Sequence, residues 1–87
     1  MAATTQQDKL VVKIFSPFQS FFEGSAVSVS ARNKTGAFDV LYGHSNFFSL
    51  LNSGRIRVNT GFETVDIEVE GGVIRVNKNR VVVFANV

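Results

Sequence analysis

The chain has 87 residues, of which 45% are apolar and 18% charged, and a formal net charge of +2. That composition describes one small globular domain, too apolar for a disordered chain and too weakly basic to indicate nucleic acid by charge alone. With no cysteine and one histidine, His44, it excludes a disulfide framework, a thiolate metal site and a multi-histidine zinc site. No apolar run approaches the roughly 18–20 residues that span a bilayer. Residues 1–8 are polar and lack the apolar block of a signal peptide. They read as a flexible N-terminal segment ahead of a single domain over 9–87.

Fourteen valines and nine phenylalanines dominate the apolar set, and seven glycines and seven asparagines fall between short apolar runs. β-Branched and aromatic side chains suit a pleated sheet, and the Gly/Asn clusters are turn punctuation. In chain order, residues 9–15 alternate with Leu10, Val12 and Ile14 on one face. Pro17 stops that run. A second run covers 18–23 and closes at Gly24. Residues 26–32 have a clean period of two, with Val27, Val29 and Ala31 inward. After the turn 33–36 come a strand over 37–41, a loop at 42–45 and a short apolar strand over 47–51.

The next two runs can be registered. Ile56, Val58, Val65, Ile67 and Val69 point inward, and matching both faces places a two-residue hairpin loop at Gly61-Phe62. Glycine first suits a II′ turn. Arg57 then lies opposite Asp66, and Arg55 opposite Glu68. This charge set reads first as cross-strand support; a basic binding patch is the competing reading. The last pair, 72–77 and 80–85, flanks a Lys78-Asn79 turn. Its register puts Ile74, Val76, Val81 and Val83 on one face, and Val73, Arg75, Val82 and Phe84 on the other. The first strand likewise carries Val11 and Phe15 opposite its inward set. Strands apolar on both faces are covered on both faces. Either a partner covers the second face, or these residues lie under a loop or in a closed barrel.

Three segments resemble the epsilon subunit of F-type ATP synthases. Gly36-Ala37-Phe38-Asp39-Val40-Leu41-Tyr42-Gly43-His44-Ser45-Asn46-Phe47-Phe48 is similar to that family's G-E-x-G-I-L-P-G-H-A-P-L-L. Leu51-Asn52-Ser53-Gly54-Arg55-Ile56-Arg57-Val58 is similar to L-K-P-G-x-I-R-V, and the stretch from Gly71-Gly72 to Phe84-Ala85 to G-G-x-x-E-V-x-x-N-x-V-T-V-L-A. Phe22-Glu23-Gly24 stands where the family has F-S-G. Three residues depart from the pattern: Tyr42 and Asn46 replace prolines, and Arg75 replaces an acidic residue. Loss of the prolines implies a less rigid loop.

The resemblance implies an all-β fold, a small β-sandwich of about ten short strands. It also implies a non-catalytic central-stalk subunit that binds the gamma subunit, contacts the c-ring and couples proton transport to ATP synthesis. Such a subunit is peripheral, on the cytoplasmic face of the energy-transducing membrane, here a bacterial inner membrane. The expected gamma contacts are Val11, Phe15, Val73, Val82 and Phe84. The expected c-ring loops hold Lys34, Thr35, Tyr42, Gly43, His44 and Ser45. Family members continue into a regulatory C-terminal pair of helices. No such helical domain is expected within this chain, so it should bind the rotor without blocking hydrolysis.

The remaining chemistry is weak, and neither a cofactor nor a metal is expected. His44 has only Ser45 beside it in sequence, which does not assemble a nucleophile, base and carboxylate. It reads as a loop or partner-contact residue. Gly71-Gly72 lacks the Lys-Ser/Thr of a phosphate loop and reads as a turn or bulge. Asp66, Glu68 and Glu70 suggest a divalent metal less than they suggest partners for the facing arginines. The alternative function is a small β-barrel binding single-stranded nucleic acid by stacking on Phe15, Phe38, Phe47 or Phe62.

Overall fold

A computed structural model describes residues 9–87; the expected N-terminal segment lies outside the described residues. Alternation of β-branched and polar residues produces most of the strands, while aromatic residues and leucine supply β2 and β5. They are β1 (Leu10–Phe15), β2 (Ser20–Ala26), β3 (Ser28–Asn33), β4 (Gly36–Leu41), β5 (Phe47–Leu51), β6 (Gly54–Asn59), β7 (Thr64–Val69), β8 (Gly71–Asn77) and β9 (Arg80–Asn86). The described residues thus hold nine strands. They form two sheets, one in the order β2-β1-β9-β8-β5 and one in the order β4-β3-β6-β7. This is an open sandwich, which removes the closed-barrel reading. Every pairing is antiparallel except β1 with β9, the first and last strands, which run parallel in the middle of the larger sheet.

The inner faces interdigitate into one core. Leu10, Val12, Ile14, Ile74, Val76, Val81 and Val83 come from the larger sheet, and Val29, Val40, Ile56, Val58, Ile67 and Val69 from the smaller. Burying each such side chain contributes about 1.5–3 kcal/mol, which is what holds the two sheets together. Both registers derived from alternation hold: Arg57 faces Asp66 and Arg55 faces Glu68, and Ile74 faces Val83 and Val76 faces Val81.

The β6–β7 loop is at Gly61-Phe62, and Gly61 has the positive φ, +94°, that a II′ turn needs. The closure uses a side chain as well. Thr60 N donates to the Glu63 carbonyl at 2.9 Å, and Glu63 N donates to Thr60 Oγ1 at 3.0 Å.

The expected single strand over 26–32 is corrected. The chain bends at Val27, so Ala26 ends β2 in the larger sheet and Ser28 opens β3 in the smaller. The side-chain period breaks at this corner: Ala26, Val29 and Ala31 are buried, whereas Val27, expected inward, sits at the bend and is only partly buried. The second run also shifts. It starts at Ser20 and passes through Gly24, which pairs with Val12. Phe18 belongs to the preceding turn and is exposed. Ser16, buried, organises that turn around Pro17: its Oγ accepts Phe18 N and Gln19 N, both at 3.3 Å.

Gly71-Gly72 is neither turn nor bulge. Both residues open β8 in regular register, opposite Asn86 and Ala85. Gly72 has φ +152°, and a Cβ there would collide with the Phe84 carbonyl oxygen. The glycine permits a close approach of two backbones.

Candidate functional site

The larger sheet presents an outer face that no other element among the described residues covers. The pairings arrange it in rows across the strands. One row runs Phe15, Phe84, Val73, Leu50, and the adjacent row runs Lys13, Val82, Arg75, Phe48. All five expected gamma contacts lie on this face. Val11 is 51% exposed, Val82 40% and Phe84 42%, while Phe15 and Val73 are half-buried. Phe15 meets Phe84 edge-on, with centroids 5.6 Å apart and planes at 75°. A loop covering these residues is therefore excluded within the described chain.

Two further residues belong to the face: Phe48, 61% exposed, and Leu50, 69% exposed, both on the edge strand β5. Sequence reasoning missed them because residues 47–51 are nearly all apolar and do not show which side faces out. The register of β5 with β8 supplies that signal, pairing Leu50 with Val73 and Phe48 with Arg75.

The loop residues expected at a c-ring are not brought together. Lys34 and Thr35 sit in the turn before β4, and Tyr42, Gly43, His44 and Ser45 follow β4, at the opposite end of the sandwich. In the first turn Asn33 Oδ1 accepts Thr35 N at 3.0 Å and Thr35 Oγ1 at 2.6 Å. The second loop opens with a β-turn in which His44 N donates to the Leu41 carbonyl at 3.0 Å. Gly43 occupies its third position with φ +85°, as a type II turn requires. The proline replacements do not leave this loop untied. Gly43 N donates to Asn79 Oδ1 at 2.7 Å, and Lys78 N donates to Asn46 Oδ1 at 2.8 Å. Asn46 thus replaces a proline's constraint with a hydrogen bond to the β8–β9 turn.

His44 is exposed; its Nδ1 donates to the Ser45 carbonyl at 2.8 Å and its ring lies 4.9 Å from that of Phe47. No acid–base partner stands beside it in that arrangement. On the smaller sheet, Arg57 Nε and Nη2 donate to Asp66 at 2.8 and 3.1 Å, and Arg55 Nε donates to Glu68 at 3.2 Å. The hydrogen bond from Arg57 holds the Asp66 carboxyl below its usual pKa. These pairs are cross-strand supports. Among the described residues no cluster of three or more His, Asp or Glu is placed to hold a metal ion.

The stacking platform of the nucleic-acid alternative is not assembled. Phe38 and Phe47 pack on each other at 5.7 Å and on the core, and Phe15 packs on Phe84. Of the four phenylalanines expected there, only Phe62 is fully presented, with Lys9 Nζ 5.3 Å from its ring centroid.

Residues 9–87 match the family of the ATP synthase delta/epsilon chain β-sandwich domain. The chain belongs to this family. Among curated relatives it is 35% identical over 77 residues to the ATP synthase epsilon chain of Francisella tularensis subsp. holarctica, covering 88% of this chain and 53% of that one. The epsilon chain of Francisella philomiragia is 34% identical over the same length. The chain spans about half the length of these relatives.

Two solved structures share this fold. One is a chain of the Euglena gracilis mitochondrial ATP synthase OSCP/F1/c-ring assembly, with TM-score 0.83, 18% identity, and coverage of 90% of this chain and 51% of that one. The other is a chain of the Tetrahymena thermophila mitochondrial ATP synthase central stalk and c-ring, with TM-score 0.78, 15% identity, and coverage of 91% and 64%. At these identities the likeness concerns the fold.

Proposed function

We propose that this domain is a non-catalytic rotor component of an ATP synthase, docking on the gamma subunit through the outer face of its larger sheet. The observation that carries this reading is the uncovered row Phe15–Phe84–Val73–Leu50 on a domain of the delta/epsilon family. A small sandwich rarely leaves so contiguous an apolar surface to water unless a partner takes it. In the complex the domain is a peripheral component of a membrane-bound machine, coupling proton flow to ATP synthesis. No helix among the described residues is long and apolar enough to cross a membrane. The bacterial epsilon chains among its relatives favour a bacterial inner membrane, with the domain on its cytoplasmic side.

Pull-down of the gamma subunit tests the reading. The chain is expected to bind at micromolar concentration or better, and Phe84→Asp is expected to abolish binding while the β-sheet circular dichroism is kept. Failure of the folded wild-type chain to bind would overturn it.

The c-ring contact belongs to one end of the sandwich. A ring surface meeting an end reaches either Lys34 and Thr35 or the Tyr42–Ser45 loop, not both. Because the chain has no cysteine, single cysteines at Lys34 and at His44 report directly. Cross-linking to the ring from one position and not the other identifies the end; from neither, it removes the contact.

A further inference from the structure

The docking face is not only apolar. Lys13, Arg75 and Arg80 all project from it, exposed, and none forms an ion pair among the described residues. On the opposite sheet Arg55 and Arg57 are paired, while Arg32 on β3 is not, among the described residues. Glu23 is registered beside Lys13 on the edge strand β2, yet Lys13 Nζ lies over the Phe15 ring, 5.4 Å from its centroid. Arg75 sits on β8, one strand in from the edge, between Val82 on β9 and Phe48 on β5.

We propose that the partner surface received here is an apolar patch bordered by carboxylates, which Lys13, Arg75 and Arg80 recognise; this rests on docking through that face. The cations lie to one side of the apolar row Phe15–Phe84–Val73–Leu50, so the acidic border of the partner lies on that side as well. Lys13 and Arg75 share a row two strands apart, which sets the facing carboxylates about 9–10 Å from each other. A second copy of this chain is the wrong occupant. A twofold contact would bring two sets of unpaired cations together with one glutamate each, and like charges across an interface disfavour association. Arg75, exposed within the apolar face, therefore acts as a specificity residue that selects a partner of opposite sign.

The test measures gamma binding against salt for the wild-type chain, for Lys13→Glu with Arg75→Glu, and for Phe84→Asp. Wild-type affinity is expected to fall as salt rises, and the double glutamate variant to lose about tenfold or more at low salt, with a flattened or reversed salt slope. If that variant does not fold, Lys13→Gln with Arg75→Gln replaces it, and loss of the salt slope is the readout. Salt-independent binding, unchanged in the charge variants but abolished in Phe84→Asp, would overturn the acidic border and leave the docking face standing. Binding unchanged in Phe84→Asp would overturn the docking face itself. Capture of the chain by anionic lipid vesicles, with none by gamma, would overturn the proposal in favour of a lipid surface.

Discussion

Asn79 Oδ1 accepts the backbone N–H of Gly43 at 2.7 Å, tying the loop after β4 to the β8–β9 turn. Asn79 also has φ +65°, next to Lys78 at +51°, and its own carbonyl accepts Val11 N at 2.9 Å. One residue thus closes a hairpin, anchors a distant loop and meets the start of β1. Asparagine suits all of this because its short amide tolerates the left-handed region and reaches a neighbouring backbone.

Asn79→Ala is expected to cost about 1–3 kcal/mol, combining left-handed strain with a lost hydrogen bond. Asn79→Gly removes the bond but not the conformation, and should cost less. Urea unfolding separates the two, and amide exchange at Gly43 should quicken in both.

The turn at Leu41–His44 accepts a proline. Tyr42 stands at its second position, where proline's fixed φ is favoured. Tyr42→Pro is expected to raise stability by about 0.4–1 kcal/mol through the unfolded chain. A higher urea midpoint at unchanged m-value is the readout.

Gly72→Ala should be severe. The added Cβ meets the Phe84 carbonyl oxygen, which is backbone and has no rotamer to escape into. A cost of about 3 kcal/mol or more places it at or beyond the upper end of ordinary single substitutions. Thermal unfolding measures it, and loss of gamma binding should follow because Phe84 moves with its backbone.

Neighbours on β9 should differ sharply. Val83 is fully buried and Phe84 is 42% exposed. Val83→Asp buries an unpaired carboxyl and is expected to unfold the domain. Phe84→Asp is expected to cost about 1 kcal/mol, near the span of strand propensities. Circular dichroism of the two purified variants distinguishes them.

Asp66 gives the pH dependence a sign. Its carboxyl titrates below the usual range because Arg57 hydrogen-bonds it. A depressed folded pKa means the contribution is present above the unfolded value and is lost as pH falls through the folded one. Wild-type stability should therefore decline through the acidic carboxylate range. Asp66→Asn should flatten that decline and lower neutral-pH stability by the same amount, which is small because the pair is exposed. Urea unfolding at a series of acidic pH values measures it.

The alternation of Ile56, Val58, Val65, Ile67 and Val69 was enough to register β6 on β7, because a one-residue slip reverses both faces. The bend at Val27 left no such trace. Val27, Val29 and Ala31 share a period of two in sequence, so the run reads as one strand, yet the buried parity changes at Val27, where Ala26 takes the inward place. Phe48 and Leu50 were hidden by a run without alternation. The separation of Thr35 from His44 was legible in principle: two loops flanking a single strand, β4, must lie at its opposite ends.

The parallel pairing of β1 with β9 carries a kinetic meaning. The larger sheet cannot close around Ile14 and Val83 until the last strand arrives, and β8 and β5 have no route to β1 without it. Pairing the two ends of the chain demands the most loop-closure entropy of any contact in the molecule, so it slows folding. During synthesis, the smaller sheet is complete in sequence while the larger one still waits. Refolding should therefore show β4-β3-β6-β7 protected from hydrogen exchange before Val12 and Val81.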